Sequence, residues 1–381
     1  MGSKTTVTKT SEKTGKEEMR VLELNLGYSS WYWVHMRGEP KRLRFSLHKG
    51  LLLVGGKKKK CVGVDLTDRF AVEWLSRANE RQRSLIRTAK IGAQEELDTL
   101  ELLPNLKALE CSGLSEEEFK WVCGLGMPLR GLYLSWCRDL LDLEPLRPLT
   151  SLLRLSLNDC PNLAELDAIE ELKELRRLDV VACDDIWEID AVAHTKKLRR
   201  VVMRNCENIH KLNPLAMLPE LQFVDLSRST HVKDLTPLGK VDNLRSLDLS
   251  NCMRVRNVKP LQNLENLRIL RLFGCNSLHD LRPLYKLPQL RKISLPNNIT
   301  DGDLLGIALG FEGLLQLDLR NCDTVSDLEP LAQLDNIRDL SLAGCRNVDD
   351  ISPLAQMTEL TQLDIACCPQ ITSLSPLHGL D

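Results

Sequence analysis

Cysteine is the residue whose spacing first invites a chemical reading in this chain. Thirteen occur, and nine of them, Cys137, Cys160, Cys183, Cys206, Cys252, Cys275, Cys322, Cys345 and Cys368, fall at steps of 23, 46 or 47 residues. A metal centre or a redox pair needs thiols that converge, as in CxxC or Cys/His clusters. One thiol per 23 residues does not converge. The pattern instead predicts a small, weakly polar side chain buried at the same corner of a recurring unit, where it meets backbone groups left open by a turn. Cys367, next to Cys368, is the thiol expected to face outward and to be open to modification.

Four adjacent lysines, Lys57, Lys58, Lys59 and Lys60, follow a Gly-rich stretch and invite a phosphate-loop reading. The glycines are out of register with GxxxxGK[ST], and Lys58 stands where Ser or Thr would hold magnesium. A lysine-rich hairpin tip that contacts phosphate or an acidic partner is the remaining functional reading. The seven histidines are scattered, and no HExxH, GxSxG, Walker or Rossmann pattern is present. No catalytic constellation, cofactor site or metal site is expected.

The elements that would position these residues come from a repeat. Units of LxxLxLxxCxxLxxLxPLxxLxx begin at Leu106, Leu129, Leu152, Leu175, Leu198, Leu221, Leu244, Leu267, Leu290, Leu314, Ile337 and Leu360, with one residue inserted after Leu290. The second and third leucines lie two apart, so they share one face of a short strand while the intervening residues face the other way. The DLxPL segment predicts a short helical turn, because proline suits a first turn whose N–H has no helical partner. Pro145, Pro214, Pro237, Pro260, Pro283, Pro330, Pro353 and Pro376 take that place. Each unit then buries its leucines against the next in a parallel stack, about 4.8 Å per strand.

This pattern resembles the leucine-rich repeat family, whose signature LxxLxLxxNxL admits Cys at the Asn position. The resemblance covers residues 106–381 and implies an α/β leucine-rich repeat solenoid, curved, with parallel strands on the concave face and short helical or 3-10 turns on the convex face. With Cys after each strand, the repeat looks most like those of intracellular trypanosomatid proteins. It is also similar to the protein phosphatase 1 regulatory repeats and the bacterial internalins, which use 22 residues and Asn.

The resemblance further implies that a partner binds the concave face, formed by the third, fifth and seventh residues of each unit. There Arg154, Arg177, Arg200 and Arg204 make a basic cluster close to Asp179. Asp225 and Asp248 form an acidic stripe beside it, Arg271 follows, and Tyr133, Trp136, Phe223 and Phe273 offer apolar anchors. Mutual pairing of Arg and Asp across adjacent strands is the alternative use of the same charges.

Upstream of the repeats, residues 1–18 read as a disordered tail and 19–66 as a small β-rich module. Residues 67–105 read as a helical cap with an apolar stripe through Phe70, Trp74, Leu75, Ala78, Leu85 and Ala89. Residues 1–105 hold 20 Lys and Arg against 13 Asp and Glu, while the rest holds 31 against 40. Attraction to nucleic acid should therefore sit at the front.

The last unit runs to Leu380 and Asp381 without a polar capping element, so a partner or a second copy is expected to cover that end. Hydrophobic residues at 43% and charged residues at 27% exclude wholesale disorder, and no apolar run is long enough to span a bilayer. The expectation is a non-catalytic protein-interaction scaffold or adaptor of the cytosol, nucleus or cytoskeleton, working within a larger assembly. The other readings are an RNA-associated subunit using the basic front, or a substrate-recruiting subunit of a ubiquitin ligase.

Overall fold

The computed structural model describes Thr5–Thr6, Arg20–Asn25, Ser30–His35 and residues 62–380 apart from 68, 93 and 312. Lys57 to Lys60, nearly all of the expected tail and the side chains of Phe70 and Trp74 lie outside the described residues. The chain divides into two compact units, Met1–Asn162 and Leu163–Asp381.

In the first unit, strands β1 (Thr5–Thr6), β2 (Arg20–Asn25) and β3 (Ser30–His35) pair antiparallel. Strands β4 (Val62–Asp65), β5 (Ile86–Ile91), β6 (Ala108–Ser112), β7 (Gly131–Ser135) and β8 (Arg154–Asn158) pair in parallel, in chain order. Helices α1 (Arg69–Arg77), α2 (Glu80–Arg83) and α3 (Glu116–Gly124) fall among the connections.

The segment expected to be wholly helical, 67–105, therefore contains a strand. Its α-helices end at Arg83, after which Ile86–Ile91 joins the parallel ladder, with Ala89 opposite Leu109 and Ile91 opposite Cys111. Val64 in turn stands opposite Ala89. Cys61-x-x-Val64-x-Leu66 and Ile86-x-x-Ala89-x-Ile91 are thus two degenerate forms of LxxLxL upstream of the twelve regular units. Their spacing is irregular and one leucine is an alanine, so helix formers in the flanks mask the pattern until pairing decides it.

The second unit consists of nine parallel strands in chain order: β9 (Arg177–Val181), β10 (Arg200–Arg204), β11 (Phe223–Asp225), β12 (Ser246–Asp248), β13 (Ile269–Arg271), β14 (Lys292–Ser294), β15 (Gln316–Asp318), β16 (Asp339–Ser341) and β17 (Gln362–Asp364). The register is that of the repeat: each third residue stands opposite the third residue of the next unit, as Arg177, Arg200, Phe223 and Ser246 do. Leu178, Val180, Leu247, Leu249, Leu317 and Leu319 point inward with their counterparts and are essentially inaccessible. Burying each such side chain contributes about 1.5–3 kcal/mol before conformational entropy is counted.

The DLxPL segment works through two devices. The Asp or Asn side chain accepts the backbone N–H two residues on, as from Glu144 to Asp142 at 2.8 Å, Thr236 to Asp234 at 2.9 Å and Lys259 to Asn257 at 2.8 Å. That turn aims the chain into a 3-10 helix such as Lys259–Asn263 or Glu329–Gln333, with proline at its start. The unit with the inserted residue has no such segment. There Thr300 and Asp303 form a capping box and start an α-helix, α4 (Asp301–Gly310), which buries Leu304, Ile307 and Ala308.

Eleven of the twelve regular units end their strand at a left-handed corner. The residue before the cysteine position has positive φ in eleven units: Gly113, Trp136, Asp159, Ala182, Asn205, Arg228, Asn251, Gly274, Asn321, Gly344 and Cys367. The corner turns its N–H toward the next coil, as from Asn205 to the Ser227 carbonyl at 2.9 Å. Glycine and asparagine suit this geometry, whereas Arg228 at φ 64° does not. Arg228→Gly is therefore expected to raise the midpoint of urea unfolding, by up to about 1 kcal/mol in stability.

Candidate functional site

Two sites were open on the sequence, the cysteine column and the outward face of the strands. The column is a hydrogen-bonded ladder. Cys252 donates its thiol to the Leu226 carbonyl at 3.1 Å, Cys275 to Leu249 at 3.0 Å, Cys345 to Leu319 at 3.0 Å and Cys368 to Leu342 at 3.0 Å. Ser229, which replaces cysteine in its unit, donates to Met203 in the same way at 2.8 Å. Each of these acceptors is the carbonyl of the sixth residue of the preceding unit, the last inward residue of its LxxLxL. A small donor at this corner thus ties successive coils together, which explains why Ser can stand in for Cys.

Burial pushes the Cys206 and Cys275 thiols up to about 12 and Cys345 up to about 11. A group of three or more His, Cys, Asp or Glu arranged to hold a metal is absent among the described residues. Cys367 is exposed, while the other described cysteines are buried. With Cys61 replaced by serine, a disulfide reagent at pH 8 should titrate one thiol in the folded protein, and Cys367→Ser should remove it. Because burial holds Cys206, Cys275 and Cys345 neutral at that pH, labelling of these three should begin only near pH 11 or upon unfolding. Rapid reaction of several thiols in the native state would contradict this ladder.

The strand face carries the residues expected to bind a partner. In the first unit Tyr133 lies in β7 and Arg154 in β8, at outward positions, while Trp136 sits beyond the strand at the left-handed corner and is 55% exposed. In the second unit Arg177, Arg200 and Phe223 occupy successive third positions, and Asp225, Asp248 and Arg271 successive fifth positions. The outward side chains of β9 to β12 form one charge network. Arg177 Nε donates to Asp179 Oδ2 at 2.7 Å, and Arg200 Nε lies 3.9 Å from Asp179 Oδ1. The Arg200 guanidinium stacks 3.5 Å above the Phe223 ring.

Arg204 reaches across to the next strand, donating to Asp225 Oδ2 at 2.5 Å and to Ser227 Oγ at 3.1 Å. Asp225 is almost inaccessible and also accepts the Ser227 N–H at 3.0 Å and its hydroxyl at 2.6 Å. Burial pushes the Asp179 carboxyl up, against the pull of Arg177, Arg200 and Arg204. Arg177, Arg200 and Arg204 therefore serve carboxylates of their own face. The acidic residues have a second job: Asp225, Asp248, Asp318 and Asp364 each accept the backbone N–H two residues on, which ends the strand. The cross-strand pairings, Arg200 with Asp179 and Arg204 with Asp225, depend on side chains 21 residues apart meeting across the ladder, which composition does not encode.

Further along, Arg271 lies 3.6 Å from Asp248, and Arg320 pairs with Asp318 at 2.7 Å. The Arg320 guanidinium also lies 5.8 Å from the Phe273 ring centroid. A groove of about 440 Å³ opens over β13 to β17, lined by Arg271, Lys292, Gln316, Asp339 and Gln362 among others. Of these, the sequence pattern singles out Arg271 as a candidate and places Lys292 and Gln316 in the outward third-position column; continuing that column would have given Asp339 and Gln362.

A family-model match and the likeness to one internalin structure agree with this architecture. Residues 242–286 match the model described as leucine-rich repeats, two copies. A search of curated proteins returned no match. Among solved structures, the chain is similar to an internalin, inlF, of Listeria monocytogenes, at 24% identity over 73% of this chain and 78% of that one, with a TM-score of 0.57. It is also similar to a leucine-rich repeat protein of Leptospira interrogans, at 17% identity over 74% and 85% of the two chains, TM-score 0.46. The structure of the yeast Rad7 and Elc1 complex matches at 20% identity over 76% and 83%, TM-score 0.48. Among the described residues no helix is long and apolar enough to cross a membrane. By its repeat, its strand register and its likeness to the internalin structure, this chain has a leucine-rich repeat fold, and residues 242–286 match the leucine-rich repeat model itself.

Proposed function

We propose that the protein is a non-catalytic interaction scaffold that binds a partner protein on its concave strand face. The observation that carries this reading is the contrast between the two sides of each strand. Inward residues are Leu, Val or Ile in the regular units apart from Cys111 and Met203, whereas outward residues in the same register change from Arg200 to Phe223, Ser246, Ile269 and Lys292. A packed interior constrains one side, and the other is left to vary as recognition requires. The fold by itself hosts many functions, so the reading rests on this face and not on the architecture.

The test is a photo-crosslinking amino acid placed at Phe223 or Gln316 on the strand face, and at the exposed Asn263 or Gln333 in the 3-10 turns. Capture of the same protein from strand-face positions and not from the turns supports the proposal. Capture confined to the turns overturns it.

A further inference from the structure

Resting on that reading, we propose that the groove over β13 to β17 takes an extended polyproline-II segment of a partner, with an acidic residue on Lys292 and, three residues away, a basic one on Asp339. Lys292, Gln316, Asp339 and Gln362 stand opposite one another in register on four successive strands. None of these four side chains makes a hydrogen bond or an ion pair among the described residues. This separates them from the other charges of the face. Arg271 is engaged by Asp248 and Arg320 by Asp318, while Asp364 accepts from the Ala366 N–H at 3.1 Å and the Ser341 hydroxyl at 3.3 Å.

The spacing selects the conformation of the occupant. Adjacent strands lie about 4.8 Å apart, so Lys292 and Asp339, two strands apart, are separated by about 9.6 Å at the backbone. A fully extended β-segment cannot present one residue to each, because its like-facing residues recur at about 6.8 Å or 13.6 Å. A polyproline-II segment has three residues per turn and a rise of about 3.1 Å, so residues i and i+3 share a face about 9.3 Å apart. That conformation also leaves every backbone N–H and C=O without an internal partner. The amides of Gln316 and Gln362 supply both donors and acceptors for them, between and beside the two charges. The opposite signs of Lys292 and Asp339 then fix the order of charges in the segment.

The experiment is selection of a random dodecapeptide display library on the full chain, followed by affinity measurement with the enriched peptides. Enrichment of sequences with Asp or Glu three residues from Lys or Arg is expected. Lys292→Glu should weaken them by about tenfold or more, and a peptide with its acid changed to lysine should recover binding to that variant. Asp339→Lys should behave reciprocally, and Gln316→Ala should weaken binding without altering the charge preference. Because these side chains have no partners among the described residues, unchanged circular dichroism and unfolding midpoints are expected for each variant.

Failure to enrich any sequence, or equal binding of enriched peptides by wild type and both charge variants, overturns the proposal. If the peptides fail while crosslinks from Phe223 still capture a protein, the strand-face function stands and the occupant of this groove is wrong. If strand-face crosslinks fail as well, both fall.

Discussion

Leu247→Ala lowers the unfolding free energy of the second unit by about 2–5 kcal/mol and splits its urea transition. Leu247 is fully buried in β12 and is flanked by Val224 and Leu270 in the adjacent strands. Truncation removes the transfer free energy of the lost carbons and leaves a cavity that close-packed neighbours fill only in part. A solenoid adds a second effect, because each coil contacts only its neighbours, so stability is a sum of coil terms and interface terms. Weakening one interior coil uncouples the strands before it from those after it. Leu363, the equivalent residue in β17, is only half-buried, and Leu363→Ala is expected to cost less than about 1 kcal/mol with a single transition. Equal effects at the two positions, measured by urea unfolding with circular dichroism, would argue against this account.

Gly239→Ala is expected to destabilise by about 1–3 kcal/mol, although it adds one methyl group. A Cβ at Gly239 would lie 2.2 Å from the carbonyl oxygen and 2.9 Å from the carbonyl carbon of Pro260. Both belong to the backbone of the next 3-10 turn, which cannot rotate away as a side chain could, so the stacking of the two turns must open. Gly124 serves as the control. It ends α3, and a Cβ added there would meet nothing within 4 Å, so Gly124→Ala should stabilise by up to about 1 kcal/mol. Thermal unfolding of both variants tests the sign: a common direction would show that chain entropy, not the close approach to Pro260, governs these glycines.

Much of the fold was legible because burial recurs at the same positions from coil to coil. Leu155 and Leu157, or Leu270 and Leu272, recur at a fixed spacing since each must meet its copy in the next coil, and the recurrence is visible without coordinates. The proline of DLxPL and the buried cysteines follow from the same requirement. The coils at Val64 and Ala89 broke the spacing and used Ala89 where leucine recurs elsewhere, so local helix-forming residues dominated the reading of 67–105.

The candidate site was legible only as a set of outward positions. Which charges are engaged was not, because it depends on geometry between side chains of different coils. Arg204 and Asp225 are 21 residues apart and meet, while Lys292 and Asp339 face the same groove without a partner among the described residues.

By itself, then, the amino-acid sequence determined the repeat, the strand and turn of each unit, the inward leucines and the structural place of the cysteines, because hydrophobic burial and turn chemistry act within one coil and recur in the next. Only the tertiary structure decided the pairing of the strand-face charges, the left-handed corners at residues as unsuited as Arg228, the helix α4 and the groove over β13 to β17. Those features arise where one coil is laid on another, and neither periodicity nor composition specifies the distances that result.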